Sequence, residues 1–183
     1  MALYLLRHTS VSMPKGICYG NTDVGLADSF EQELEAVKKQ LEGVAFSKVY
    51  SSPLTRCTRL AEAFSKNVII DKRITEYSFG KWERVKWDDI YAQEAGKRWF
   101  DDYVNVPTPQ GESYVQMTKR VDDFIADLPN VESQNVLVVT HAGIIRAFLV
   151  QLEGYSIAEA FDRKIAFGEV LKMHRSLRRR KEH

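Results

Sequence analysis

Two histidines, two arginines and one glutamate stand in four separate stretches of this chain. The stretches are Arg7-His8-Thr9, Ser51-Ser52-Pro53-Leu54-Thr55-Arg56, Glu76, and Thr140-His141-Ala142-Gly143. An arginine presents a planar fork of donors that matches the oxygens of a phosphate and stays charged at any working pH. Arg7 and Arg56 therefore suit the equatorial oxygens of a phosphoryl group in flight, where charge gathers. A neutral imidazole is a competent nucleophile, and two nearby cations keep it neutral by disfavouring a third positive charge. His8 is the candidate nucleophile, and His141 is placed to donate a hydrogen bond to the phosphate. Amides of Ala142 and Gly143 at a helix start would add donors. Glu76 could protonate a leaving alkoxide and, once ionised, activate water.

Taken singly, each stretch has a plain structural explanation. Arg-His after a strand is often solvated. Ser-Ser-Pro-Leu-Thr-Arg can be a helix start with a surface arginine. Thr-His-Ala-Gly can be a buried histidine bonded to backbone. What argues for chemistry is their common location at strand ends.

The elements that position them follow from the hydrophobic pattern. Ala2–Leu6 is a short apolar run without alternation, as expected of a strand buried on both faces. Asp28-Ser29-Phe30-Glu31 reads as a capping box, followed by Phe30, Leu34, Val37 and Leu41 at helical spacing and a stop at Gly43. Lys48–Ser51 is a second strand, Leu54–Ser65 a helix and Val68–Ile70 a third strand. Trp87–Asp102 is expected to be one helix inside an aromatic segment that runs from Tyr77 to Tyr103. Pro107, Pro109 and Gly111 mark a loop. Ser113 and Gln116 form a second capping box for a helix reaching Leu128. Val136–Val139 is a fourth strand, Gly143–Leu152 a helix and Glu169–His174 a last strand. Strands alternating with helices predict a three-layer α/β/α sandwich on a largely parallel sheet. In such open sheets ligands bind beyond the carboxyl ends of the strands, which is where the four stretches fall.

Composition limits the partners. The 183 residues suit one domain, assigned to 1–175 with a polar tail at 176–183. With 26 basic and 25 acidic residues, the net charge of +1 gives no general attraction to nucleic acid or anionic membrane. The basic run Arg175, Arg178, Arg179, Arg180 and Lys181 is expected to be a solvated tail without a specific partner. Cys18 and Cys57 lack the spacing of a disulfide framework or zinc site and are expected to be reduced thiols. Arg7 follows Ala2–Leu6 too soon for a signal-peptide core, and no run approaches a membrane span, so a cytoplasmic location is expected. Oligomeric state is left open, a homodimer included.

Leu6-Arg7-His8-Thr9, Ser51 to Arg56, Glu76 ahead of Phe79-Gly80-Lys81-Trp82-Glu83, Gly111-Glu112-Ser113 and Val139 to Gly143 occur in an order that resembles the histidine phosphatase superfamily. That superfamily includes the cofactor-dependent phosphoglycerate mutases. The resemblance implies a phosphoglycerate mutase-like sandwich with one antiparallel strand at Glu169–His174 or its neighbour. It also implies a phosphorylated His8, a phosphate pocket of Arg7, Arg56 and His141, proton donation by Glu76, and neither metal nor cofactor. Thr9 stands where the mutase branch usually has glycine. Cys18-Tyr19-Gly20-Asn21-Thr22-Asp23-Val24-Gly25-Leu26 and Asp101 to Pro107 are similar to segments of α-ribazole phosphatases, which act in cobalamin nucleotide-loop assembly. The substrate implied is thus a small phosphate ester, with Thr9 and Asn21 among its contacts. A turn entering a loop is the structural alternative for the Cys18 segment. A phosphoglycerate mutase, a broad phosphatase and a degenerate binding module are the competing functions. Trp82, Trp87, Tyr91 and Trp99 are candidates to line a pocket for a flat ring, against the simpler expectation that each packs a lid onto the core.

Overall fold

The structure is a computed structural model, and it describes residues 2–129 and 134–173. The basic run and tail from 174 onward lie outside the described residues.

Side chains that point alternately to the two faces of the apolar central strands build the core on both sides of one sheet. The strands are β1 (Leu3–Arg7), β2 (Lys48–Ser51), β3 (Val68–Ile70), β4 (Val136–Thr140) and β5 (Val170–Lys172), in spatial order β3-β2-β4-β1-β5. The first four run parallel, and β5 pairs antiparallel with β1. In β4 every residue is buried, as a strand covered on both faces requires. Val136 and Val138 face one way with Leu3, Leu5 and Tyr50. Leu137 and Val139 face the other with Leu6 and Val49.

On the first side lie α5 (Tyr114–Asp127) and α6 (Ala142–Phe148), through residues such as Met117, Val121, Phe124 and Phe148. On the second side lie α1 (Phe30–Gln40) and α2 (Thr55–Ala61), through Phe30, Leu34, Val37, Cys57 and Leu60. Two apolar layers on one sheet make the expected three-layer sandwich. Among the described residues, no helix is long and apolar enough to cross a membrane.

Two local expectations are corrected and a third is refined. The stretch Trp87–Asp102 is two helices, α3 (Trp87–Ala92) and α4 (Glu94–Asp101), broken at Gln93, whose ψ of 147° is extended. The break lets α4 fold back until Gly96 sits against the Ile90 carbonyl, and it brings Trp99 to 6.3 Å from Trp87, nearly parallel to it. Packing of rings outweighs the continuity that helix propensity alone suggests.

The first capping box does not form. Ser29 instead donates to Glu33 Oε1 at 2.6 Å, while Glu33 Oε2 accepts the Ser10 amide at 2.9 Å. Glu33 thereby ties α1 to the loop that follows β1. The second box, Ser113 with Gln116, does form at the start of α5.

The helix expected at Gly143–Leu152 is present and changes character along its length: it is α6 to Phe148 and π-helical over Leu149–Glu153, ending at Gly154 in the left-handed region. A short helix α7 (Ile157–Asp162) follows, and it carries its own capping box at Ser156 and Glu159.

Candidate active site

Strand register brings the two histidines together. Arg7 pairs with Thr140 in the parallel ladder, and the His8 amide donates to the Thr140 carbonyl at 3.1 Å. The next residues on the two strands, His8 and His141, therefore stand side by side, with ring centroids 5.2 Å apart. Ser51 pairs with Val139 one strand over, and the Ser52 amide donates to the Val139 carbonyl. That places Ser52 Oγ 2.7 Å from His141 Nε2.

The imidazole of His8 is held in one tautomer. Its Nδ1 lies 2.7 Å from the Thr9 carbonyl oxygen, which can only accept, so Nδ1 carries the proton. Nε2 is then the nitrogen with the free lone pair. Burial pushes the His8 pKa down to about 3, with the charge of Arg56, and to a smaller extent Arg7, pushing the same way; the Thr9 hydrogen bond opposes. His141 is driven well below its ordinary value by burial first, then by His8, Arg56, Arg120 and Arg7. Both rings are neutral at pH 7.

Arg56 is completely buried, which is rare for an arginine. Its Nη1 donates to the Thr22 carbonyl at 2.7 Å and its Nη2 to the Gly20 carbonyl at 2.6 Å. Arg7 donates from Nη1 to the Ile165 carbonyl at 2.5 Å. These acceptors are neutral, so both guanidinium groups are oriented by main-chain carbonyls, while Glu76 acts on Arg7 only through its charge. Nε of both arginines and Oγ1 of Thr9 are buried without a hydrogen-bond partner. Buried donors in that state favour an anion that can accept from them.

Glu76 reaches the same place from the loop after β3. Its Oε1 accepts the Tyr77 amide at 2.9 Å and its Oε2 accepts the Gly143 amide at 3.2 Å. A Cβ on residue 143 would lie 2.4 Å from Glu76 Oε1, so a larger residue there would push the carboxylate away from the start of α6. This alters one sequence expectation: the Gly143 amide serves Glu76 here. Ala142 is buried at the first position of α6. Asn21 is exposed and is held through its main chain, whose amide donates to Glu83 Oε1 at 3.2 Å.

Several supporting residues escaped the sequence reading. Glu83 accepts the Gly20 amide at 2.9 Å, the Thr22 hydroxyl at 2.5 Å and the Phe79 amide at 3.0 Å. It therefore fixes the loop whose carbonyls grip Arg56. Gly20 is required there, since a Cβ would overlap the Tyr77 carbonyl oxygen. Arg120 donates to the carbonyls of Arg73, Thr75 and Glu76 and makes a two-point contact with Glu112, at 2.6 and 3.1 Å. That clamp fixes the backbone from which Glu76 projects. Tyr19 lies with its ring 5.5 Å from Arg56 Cζ and shares electrostatic coupling with Arg7, Arg56 and Glu76. The motifs around Glu83 and Glu112 were visible as signals; Arg120, on a helix face, gave none.

The aromatic candidates behave differently. Trp82 is buried with Cys18 and Ile90 in a third small core. Trp99 packs on Trp82, Trp87, Phe79 and Phe100, and its Nε1 donates to the Tyr77 hydroxyl at 3.2 Å. Tyr91 is 62% exposed and meets Phe100 edge-on. Cys18 and Cys57 are free, buried thiols, and burial pushes both pKa values up. Among the described residues no group of three or more His, Cys, Asp or Glu is arranged to hold a metal ion.

A family model described as histidine phosphatase superfamily (branch 1) matches residues 3–181. The chain is 28% identical over 162 residues to the adenosylcobalamin/alpha-ribazole phosphatase of Escherichia coli (strain K12), covering 84% of this chain and 80% of that one. It is 27% identical over 165 residues to phosphoserine phosphatase 1 of Hydrogenobacter thermophilus, covering 86% and 78%. Among solved structures, the alpha-ribazole phosphatase from Shigella flexneri superposes with a TM-score of 0.82 at 24% identity, covering 93% of this chain and 88% of that one, a likeness of fold.

Proposed function

The chain belongs to the histidine phosphatase superfamily, and from that premise we propose that it hydrolyses α-ribazole 5′-phosphate, or the adenosylcobalamin 5′-phosphate form, to the free alcohol and phosphate. The observation that carries the phosphatase reading is the state of His8. Its Nδ1 is committed to the Thr9 carbonyl, its ring is neutral, and two arginines with unpartnered Nε groups act on it.

The reaction runs in two steps. His8 Nε2 attacks phosphorus, and a bond forms between nitrogen and phosphorus as the ester oxygen–phosphorus bond breaks. Glu76 gives its proton to the departing oxygen. Arg7 and Arg56 hold the transferring oxygens, and Thr9 Oγ1 adds a donor. The dianionic group also favours a proton on His141, whose flanking cations it offsets. Ionised Glu76 then takes a proton from water, which attacks phosphorus and releases His8. No cofactor is needed, because every proton and electron pair has a place on these side chains. The reaction calls for no partner beyond the small phosphate ester.

The substrate assignment is supported by Thr9 beside the nucleophile and by the Cys18–Leu26 segment, which holds Arg56 through Gly20 and Thr22. A phosphoserine phosphatase is the second reading, favoured by two Hydrogenobacter thermophilus relatives so named, "Putative phosphoserine phosphatase 2" at 30% and "Phosphoserine phosphatase 1" at 27% identity. Turnover of α-ribazole 5′-phosphate against phosphoserine, 3-phosphoglycerate and sugar phosphates separates them. The proposal expects the highest kcat/KM on α-ribazole 5′-phosphate; a preference for phosphoserine contradicts it. Mutase activity with 3-phosphoglycerate and 2,3-bisphosphoglycerate would favour the mutase branch instead.

A further inference from the structure

The turn after α7 presents to the pocket a ring that this reaction does not use. The Gly168 amide donates to the carbonyls of both Arg7 and His8, at 3.2 and 3.1 Å. The Arg7 amide donates to the Glu169 carbonyl at 3.1 Å, and the Glu169 carboxylate accepts the Ala166 amide at 2.6 Å. Gly168 has a φ of +69°, which glycine adopts freely. The turn is thus fastened to the end of β1 at the candidate nucleophile.

Phe167 stands at its tip. Its ring centroid lies 3.9 Å from Arg7 Cζ and 5.6 Å from the His8 ring, yet the residue is 41% exposed. A single exposed phenylalanine is ordinary on a protein surface. One held rigidly between the phosphate arginine, the nucleophile and solvent is a preorganised contact surface.

We infer that Phe167 determines specificity, favouring phosphate esters whose leaving alcohol carries a ring, sugar or aryl, next to the ester oxygen. Such a ring packs on the exposed part of Phe167 as the phosphate settles beside His8. An acyclic leaving group bearing charges, such as serine, gains nothing from an apolar face and loses hydration against it. The inference deepens the proposed phosphatase reading and rests on His8 as nucleophile, but not on α-ribazole as the substrate.

The test compares kcat/KM for 4-nitrophenyl phosphate, ribose 5-phosphate and phosphoserine in the wild type, Phe167→Ala and Phe167→Tyr. Each substrate's intrinsic reactivity cancels when the ratio of ring ester to phosphoserine is compared between variants. In Phe167→Ala that ratio falls by about tenfold, the upper range of an aromatic contact. In Phe167→Tyr, which keeps the ring, it stays within about twofold of wild type by the same scale. A ratio unaltered in Phe167→Ala, whether both classes fall together or neither falls, overturns the inference: the ring then only packs Arg7. Absence of wild-type turnover on all three esters overturns the phosphatase reading itself.

Discussion

The pocket around His8 buries charge among main-chain carbonyls, whereas the segment from Tyr77 to Tyr103 buries rings against rings. In the pocket, each side chain is fixed by a specific polar partner: Thr9 for His8, Ser52 for His141, Gly20 and Thr22 for Arg56, Gly143 for Glu76. In the aromatic segment the partners are interchangeable in kind, and Trp99 alone meets six other rings. The segment's polar links to the pocket run through the Glu83 carboxylate and the Tyr77 amide, which donates to Glu76, and its tryptophans stand behind them. Abundance of aromatic residues near a site is therefore poor guidance to what touches a ligand; a buried cation with neutral acceptors is better guidance.

Breaking the pocket should cost function, and breaking the ring cluster should cost stability. The largest effect expected is for Arg56→Ala, with kcat/KM lower by about 10²–10³, the scale of losing one preorganised charge donor. Steady-state kinetics check it; a loss below about threefold would show that Arg56 only braces the loop. Trp82→Ala should destabilise the fold by about 3–4 kcal/mol through loss of a large buried ring, read by urea unfolding. If the fold keeps its stability while KM rises, Trp82 belongs with the pocket after all.

A smaller effect separates the regions by pH. The folded pKa of His8 is lowered below the unfolded value of about 6.5. Below pH 6.5 the unfolded chain binds a proton that folded His8 does not. The stability that His8 contributes is full above that pH and is lost as pH falls toward about 3. Between pH 8 and pH 5 the loss from His8 amounts to about 2 kcal/mol. His8→Gln should show that much less acid destabilisation, while Trp82→Ala should show the wild-type pH dependence. The smallest effect belongs to Tyr91→Ala, which should alter stability by less than about 0.5 kcal/mol and leave KM unmoved, as an exposed ring would. A KM shift there would bring the ring cluster into substrate binding.

The sandwich and most of the pocket were legible in the sequence, for one physical reason. Parallel strands buried on both faces read as apolar runs, and their carboxyl ends collect on one edge. His8 and His141 follow such runs directly, and Arg56 lies in the first turn of the helix after β2, so their convergence needed only strand order and register. Glu76 lies in a loop after β3, and its placement depended on Arg120, whose role no local pattern announces. Asn21 is held in its turn through its main chain, and its exposed side chain is left to the substrate contact proposed for it. The single helix expected at Trp87–Asp102 failed because Gln93 itself is no breaker; the break follows from the packing of Trp99 on Trp87, with Gly96 close against Ile90. Phe167 went unnoticed because an isolated phenylalanine in a turn has no signature until the turn's hydrogen bonds are known.

The central claim is that phosphate passes through Nε2 of His8. Rapid acid-free quenching during turnover of a phosphate ester labelled in its phosphoryl group, followed by peptide mapping, tests it directly. A phosphohistidine at His8 gives an acid-labile, base-stable label on the peptide that contains His8, and His8→Ala then shows neither label nor turnover. A label on another residue, or wild-type turnover by His8→Ala, would contradict it.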